Sequence, residues 1–185
     1  MTRTLETGKT IPPSAFGHAV LRVSDLQRSI AWYQTVLAME VVHGNDAIAF
    51  MTYDDEHHRL ALFQTPQKEP APPGAPGLDH LAYTLPTLGA LLGTYRRLEA
   101  LGILPTLAIN HGPTTSLYYA DPDGNGIEFQ VENFNTKTEL QAWFQTDTFA
   151  ANPLGVVFDP NRLIERYEQG DPIHDLLQPG AAPPT

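Results

Sequence analysis

Two histidines and one glutamate stand where their side chains could hold a divalent metal. His18 lies in Gly17-His-Ala-Val and His80 in Asp79-His-Leu-Ala, each inside a run rich in β-formers and 62 residues apart. Glu128 lies in Gly126-Ile-Glu-Phe-Gln-Val, alternating with apolar Ile127 and Phe129. Two imidazoles and one carboxylate on one face leave positions open on an octahedral ion, a donor set suited to non-haem Fe(II) that activates O₂ beside a chelating substrate. Taken singly, each His also reads as a satisfied core residue and Glu128 as a strand-edge carboxylate. The coincidence of the three decides for the metal, because an unpaired buried Glu is costly.

The elements that must position them form a repeat. On the left, Phe16 to Val23 reads as a strand and Asp25 as a helix cap, and Leu26, Ile30, Tyr33 and Leu37 fall on one helical face. Strands are expected at 40–43, 47–53 and 58–63, with Asp54-Asp55-Glu56 as a turn. On the right, Leu78 to Leu85 reads as a strand and Thr87 as a cap. Leu88, Leu91, Leu92, Tyr95 and Leu98 make a helical stripe, and Gly102 fits just past its end. Strands are expected at 106–110, 116–120 and 126–131, the last two joined by the Asp121-Pro-Asp-Gly-Asn125 turn. Each half is βαβββ. If the halves pair as pseudo-twofold mates, His18 and His80 occupy equivalent first strands.

The expected organisation is a loose N-terminus (1–14), a first module (15–64), a linker (65–77), a second module (78–132), a helical extension (133–177) and a loose tail (178–185). The linker holds five prolines and two glycines in thirteen residues, which starves it of backbone donors. In the extension, helices are expected at 138–149 and 161–168, separated by Asn152-Pro-Leu-Gly155. The fold class is α+β. Eleven Lys and Arg against 21 Asp and Glu give a formal charge of −10 with no basic run, which argues against nucleic acid and anionic membrane as partners. Cys is absent, so any metal must be held by His and carboxylate. No apolar stretch approaches a bilayer span of about 20 residues, and a cytoplasmic location is the expectation.

The duplicated modules, the Asp121-Pro-Asp-Gly-Asn-Gly-Ile-Glu128 segment and the His/His/Glu positions together resemble the vicinal oxygen chelate superfamily of glyoxalases, bleomycin resistance proteins and type I extradiol dioxygenases. The resemblance covers about residues 15–132 and implies a curled eight-stranded sheet around a metal held by His18, His80 and Glu128. Glyoxalase-type members place a fourth ligand, commonly Glu, in the fourth strand, and 57–64 holds no carboxylate. The resemblance is therefore greatest to a one-module extradiol dioxygenase. It implies Fe(II), with Mn(II), Zn(II) and Ni(II) as alternatives, a small catechol-type substrate and O₂, and a homodimer. It also implies roles for His58 as acid/base beside the metal and for Tyr118, ten residues before Glu128, as a hydrogen-bond donor to bound substrate. His111 resembles a second acid/base His loosely, since its distance to Tyr118 is shorter than the family's. Val20 stands where an Asn often follows the first metal His. His57 reads as a solvated turn residue, His43 and His174 as solvated, and Trp32 and Trp143 as packing. Two other readings remain: a glyoxalase-like isomerase or lyase using Zn(II), Ni(II) or Co(II), and a bleomycin-resistance-type binding protein without chemistry.

Overall fold

The computed structural model describes residues 8, 10–69, 72 and 75–184, so the expected loose N-terminus lies largely outside the described residues, as do Pro70, Ala71, Pro73 and Gly74 of the linker and Thr185 of the tail. The chain divides between Lys68 and Glu69 into two compact units. Among the described residues no helix is long and apolar enough to cross a membrane.

The first unit contains β1 (Ala19–Val23), α1 (Leu26–Leu37), β2 (Glu40–Gly44), β3 (Ile48–Thr52) and β4 (Leu60–Gln64), with sheet order β1-β4-β3-β2. β1 runs parallel to β4, and the other neighbours are antiparallel. Asp25 caps α1 by accepting from Arg28 N–H at 3.0 Å. The buried face of this helix is Leu26, Ser29, Tyr33 and Val36. The expected stripe was therefore rotated: Ile30 and Leu37 are only half-buried, and Ser29 is fully enclosed. Small residues at i+3 can be buried without any apolar signal.

The second unit repeats the order with β5 (His80–Thr84), α2 (Leu88–Glu99), β6 (Leu107–Asn110), β7 (Thr114–Ala120) and β8 (Gly126–Glu132). All five members of the expected α2 stripe are buried, each contributing about 1.5–3 kcal/mol relative to exposure. The last segment holds α3 (Lys137–Phe144), α4 (Asp147–Ala151), β9 (Val156–Val157), α5 (Pro160–Glu168) and α6 (Ile173–Leu176). Its first expected helix is two, broken at Gln145, with Thr146 capping the second. β9 was not anticipated. It pairs antiparallel with β6, so the second sheet has five strands in the order β5-β8-β7-β6-β9, and among the described residues the two sheets hold nine strands rather than eight.

The β7–β8 turn is built on one side chain. Buried Asp121 accepts from Asp123 N–H at 2.9 Å and Asn125 N–H at 2.8 Å through Oδ1, and from Asn125 Nδ2 at 2.8 Å through Oδ2. After this turn β8 passes close to the start of β5. A Cβ on Gly126 would lie 2.5 Å from the Asp79 carbonyl oxygen and 2.9 Å from His80 Cβ, so only glycine permits the observed β5–β8 spacing at that rung.

Asp121→Ala should lower unfolding free energy by about 1–3 kcal/mol by orphaning turn donors, read as a lower urea midpoint with unchanged slope. Gly126→Ala should push β5 and β8 apart at their first rung. Its expected signature is faster amide hydrogen exchange confined to the β5–β8 ladder, at a cost of about 1–3 kcal/mol.

Candidate active site

In the second unit, parallel pairing sets Ala82 opposite Glu128 and His80 opposite Gly126, so the His is the first residue of its strand. Glu128 is only 4% exposed. Its Oε2 lies 3.1 Å from His80 Nε2. Two ligands at about 2.1 Å from one ion and at right angles are about 3.0 Å apart, so this N/O pair has the separation of neighbouring ligands on one divalent cation. The other ring nitrogen of His80, Nδ1, is 2.6 Å from Asp79 Oδ2, the usual way a metal-facing imidazole is oriented.

Antiparallel pairing with β7 places Tyr118 directly opposite Glu128. The Tyr118 ring meets His80 edge-on at 5.1 Å. Burial first, and then its hydrogen bond to the Glu128 carboxylate, push the Tyr118 phenol well above the usual range. Its hydroxyl also lies 3.0 Å from His111 Nε2. His111 follows β6, and its Nδ1 lies 2.6 Å from the Leu154 carbonyl oxygen. A carbonyl only accepts, so Nδ1 carries a hydrogen and the neutral ring offers Nε2 as a lone pair. Tyr118 has one hydroxyl proton and two acceptors in reach. Either it donates to neutral His111, or protonated His111 donates to Tyr118 while Tyr118 donates to Glu128. Tyr119 points to the other face, packs edge-on against Phe129 at 5.9 Å, and has a buried hydroxyl without a hydrogen-bond partner among the described residues.

In the first unit, His18 immediately precedes β1, and its ring centroid is 4.2 Å from that of His58. β4 begins at Leu60, so His57 and His58 belong to the β3–β4 turn and not to the strand expected from residue 58. Their Nδ1 atoms are 2.6 Å apart, sharing a hydrogen bond. His57 is nonetheless 72% exposed, whereas His58 is half-buried and packs edge-on against Phe50 at 4.8 Å. Burial first, then the neighbouring His18 and His57, hold His58 below the usual imidazole range. Arg59 sets this turn, a part the sequence reading passed over. Its guanidinium bridges Asp54 Oδ2 at 3.0 Å and donates to the Phe16 carbonyl at 3.1 Å, while its own carbonyl accepts Ala19 N–H, tying the turn to the approach of β1. The Arg59 hydrogen bond holds the Asp54 carboxyl below its usual range.

The two registers correspond residue for residue. Phe50 opposes Ala61 in the first sheet as Tyr118 opposes Glu128 in the second. Ala61 thus occupies the place of Glu128, and that place is apolar in the first unit. Within each unit taken by itself, the described residues contain no group of three His, Asp or Glu that could hold a metal. The second unit brings together His80, Glu128, Tyr118 and His111; the first brings together His18 and His58. His43 is exposed on β2. His174 lines a cleft of about 530 Å³ with Trp143 and Phe134, and the Trp143 ring covers Gly112.

The family model described as the glyoxalase/bleomycin resistance protein/dioxygenase superfamily matches residues 15–129. The chain is 45% identical over 159 residues to biphenyl-2,3-diol 1,2-dioxygenase 2 of Rhodococcus globerulus, covering 85% of this chain and 84% of that one. It is 41% identical over 172 residues to biphenyl-2,3-diol 1,2-dioxygenase 3 of the same organism, covering 90% and 88%. Among solved structures it is similar to lactoylglutathione lyase from Agrobacterium tumefaciens, with a TM-score of 0.54 and 25% identity over 65% of this chain and 96% of that one. A model match over more than half the chain, relatives above 40% identity along most of their length and the twice-built βαβββ sheet agree: the chain belongs to the glyoxalase/bleomycin resistance protein/dioxygenase superfamily.

Proposed function

We propose that this chain is an extradiol ring-cleaving dioxygenase that takes a catechol-type vicinal-diol aromatic and O₂, with Fe(II) held by His18, His80 and Glu128. The observation that carries the reading is the buried Glu128 carboxylate 3.1 Å from His80 Nε2 with Tyr118 directly across the sheet. The similarity to two biphenyl-2,3-diol dioxygenases along most of the chain supports the same reaction class.

Iron, when bound, supplies a Lewis-acidic and redox-active centre for two adjacent substrate oxygens and for O₂. The remaining work falls to side chains. The Tyr118 hydroxyl hydrogen-bonds a substrate oxygen and fixes the ring's orientation. His58, kept neutral by burial and its imidazole neighbours, takes a substrate hydroxyl proton. His111 takes or returns a proton at Nε2, the ring nitrogen that faces Tyr118. A glyoxalase-like isomerase would call for a carboxylate in the fourth strand, and Ala61 fills the place equivalent to Glu128. A metal-free binding protein gives no account of a carboxylate buried against His80.

Anaerobic reconstitution with Fe(II), Mn(II), Zn(II) or Ni(II), followed by catechols and O₂, tests the reading. Only the iron form, or iron and manganese, should consume O₂ and release a yellow ring-fission product; activity with Zn(II) or Ni(II) and no O₂ uptake would refute it. Glu128→Gln removes the sole anionic ligand and should lower bound iron measured by elemental analysis. His58→Ala should retain iron yet lose turnover by about 10²- to 10⁴-fold, and His57→Ala, which removes the hydrogen-bond partner of His58 Nδ1, should retain iron with a smaller loss of turnover.

A further inference from the structure

The proton-handling nitrogen of His111 is selected by a backbone carbonyl lying 43 residues further along the chain. Leu154 and Gly155 are outside the family-model match, which ends at residue 129. Leu154 is 75% exposed, and what it offers His111 is its carbonyl, 2.6 Å from Nδ1. That approach depends on Gly155. It has φ +103°, and a Cβ there would lie 2.3 Å from the Asn110 carbonyl oxygen and 2.7 Å from His111 Cα. Further contacts hold the segment in place. Asn152 donates through Nδ2 to the Gly155 carbonyl at 2.7 Å and accepts Gly155 N–H at 3.1 Å. Immediately after, β9 pairs Val156 with Asn110 and Val157 with Ile109.

We propose that the Asn152–Gly155 turn is a positioning device for His111: Gly155 lets the Leu154 carbonyl reach Nδ1, which fixes the hydrogen on Nδ1 and leaves Nε2 as the ring's single exchangeable site, aimed at the Tyr118 hydroxyl. Gly155 and Leu154 are positioning residues and touch no reacting atom. The role in turnover rests on the dioxygenase reading above, whereas the tautomer does not.

The test uses the full chain labelled with ¹⁵N-histidine, and long-range ¹H–¹⁵N correlation assigns the neutral His111 tautomer. The parent should show hydrogen on Nδ1. Gly155→Ala should shift His111 toward hydrogen on Nε2 and lower kcat by about tenfold or more with KM little changed. Leu154→Ala keeps the carbonyl and should match the parent in both readouts. Asn152→Ala, at an exposed position, loosens the same turn and should move the tautomer in the same direction as Gly155→Ala by a smaller amount; it decides the matter if Gly155→Ala does not fold. Hydrogen on Nε2 in the parent would overturn the proposal, as would folded Asn152→Ala and Gly155→Ala variants with the parental tautomer. A tautomer that shifts as expected in a protein that cleaves no catechol would uphold the positioning role and count against the dioxygenase reading alone.

Discussion

The carboxylate of Glu128 is the constraint around which the second unit is arranged. A carboxylate at 4% exposure must recover several kcal/mol of lost hydration from its neighbours. The parallel β5–β8 pair brings His80 to it, and the antiparallel β7–β8 pair brings Tyr118. Gly126 permits the first of these approaches, and the Asp121 turn sets the register of the second. The order of requirements thus runs from a charge that must be compensated, to two strand pairings, to a glycine and a turn.

The first unit shows what the same scaffold does without that charge. Phe50 and Ala61 fill the positions of Tyr118 and Glu128, and the pair is apolar. Its chemistry-bearing groups sit at the ends of strands: His18 before β1 and His58 in a turn held by Arg59. The duplicated fold thus buries a carboxylate in its second sheet, whereas in the first the equivalent place is apolar and the imidazoles sit at strand ends.

Much of this was legible in the sequence because it is periodic or local. The α2 stripe, the two helix caps, the Asp121 turn and the equivalence of the runs around His18 and His80 all follow from spacing and residue type. What escaped notice depends on contacts without a sequence pattern. Ser29 replaces Ile30 on the buried face of α1 because a small side chain packs there. The Arg59–Asp54 pair ends the hairpin two residues later than the strand-like run suggests. The His111–Leu154 bond joins a side chain to a carbonyl far along the chain, and no residue type advertises a carbonyl. β9, two residues long, is below the length at which alternation can be recognised.

That small strand has a consequence for how the chain reaches its folded state. β6 is an outer strand of its sheet until Val156 and Val157 dock, and its partner residues Ile109 and Val157 are 48 positions apart (157 − 109). Before docking, β6 offers a row of unpaired amides and carbonyls beside Leu107, Ala108 and Ile109, a template for another copy's strand. Closing so long a loop is slow compared with forming the β6–β7 hairpin. Until β9 docks, β6 is an open edge, and this two-residue strand is what takes Ile109 and Asn110 out of reach of edge-to-edge pairing.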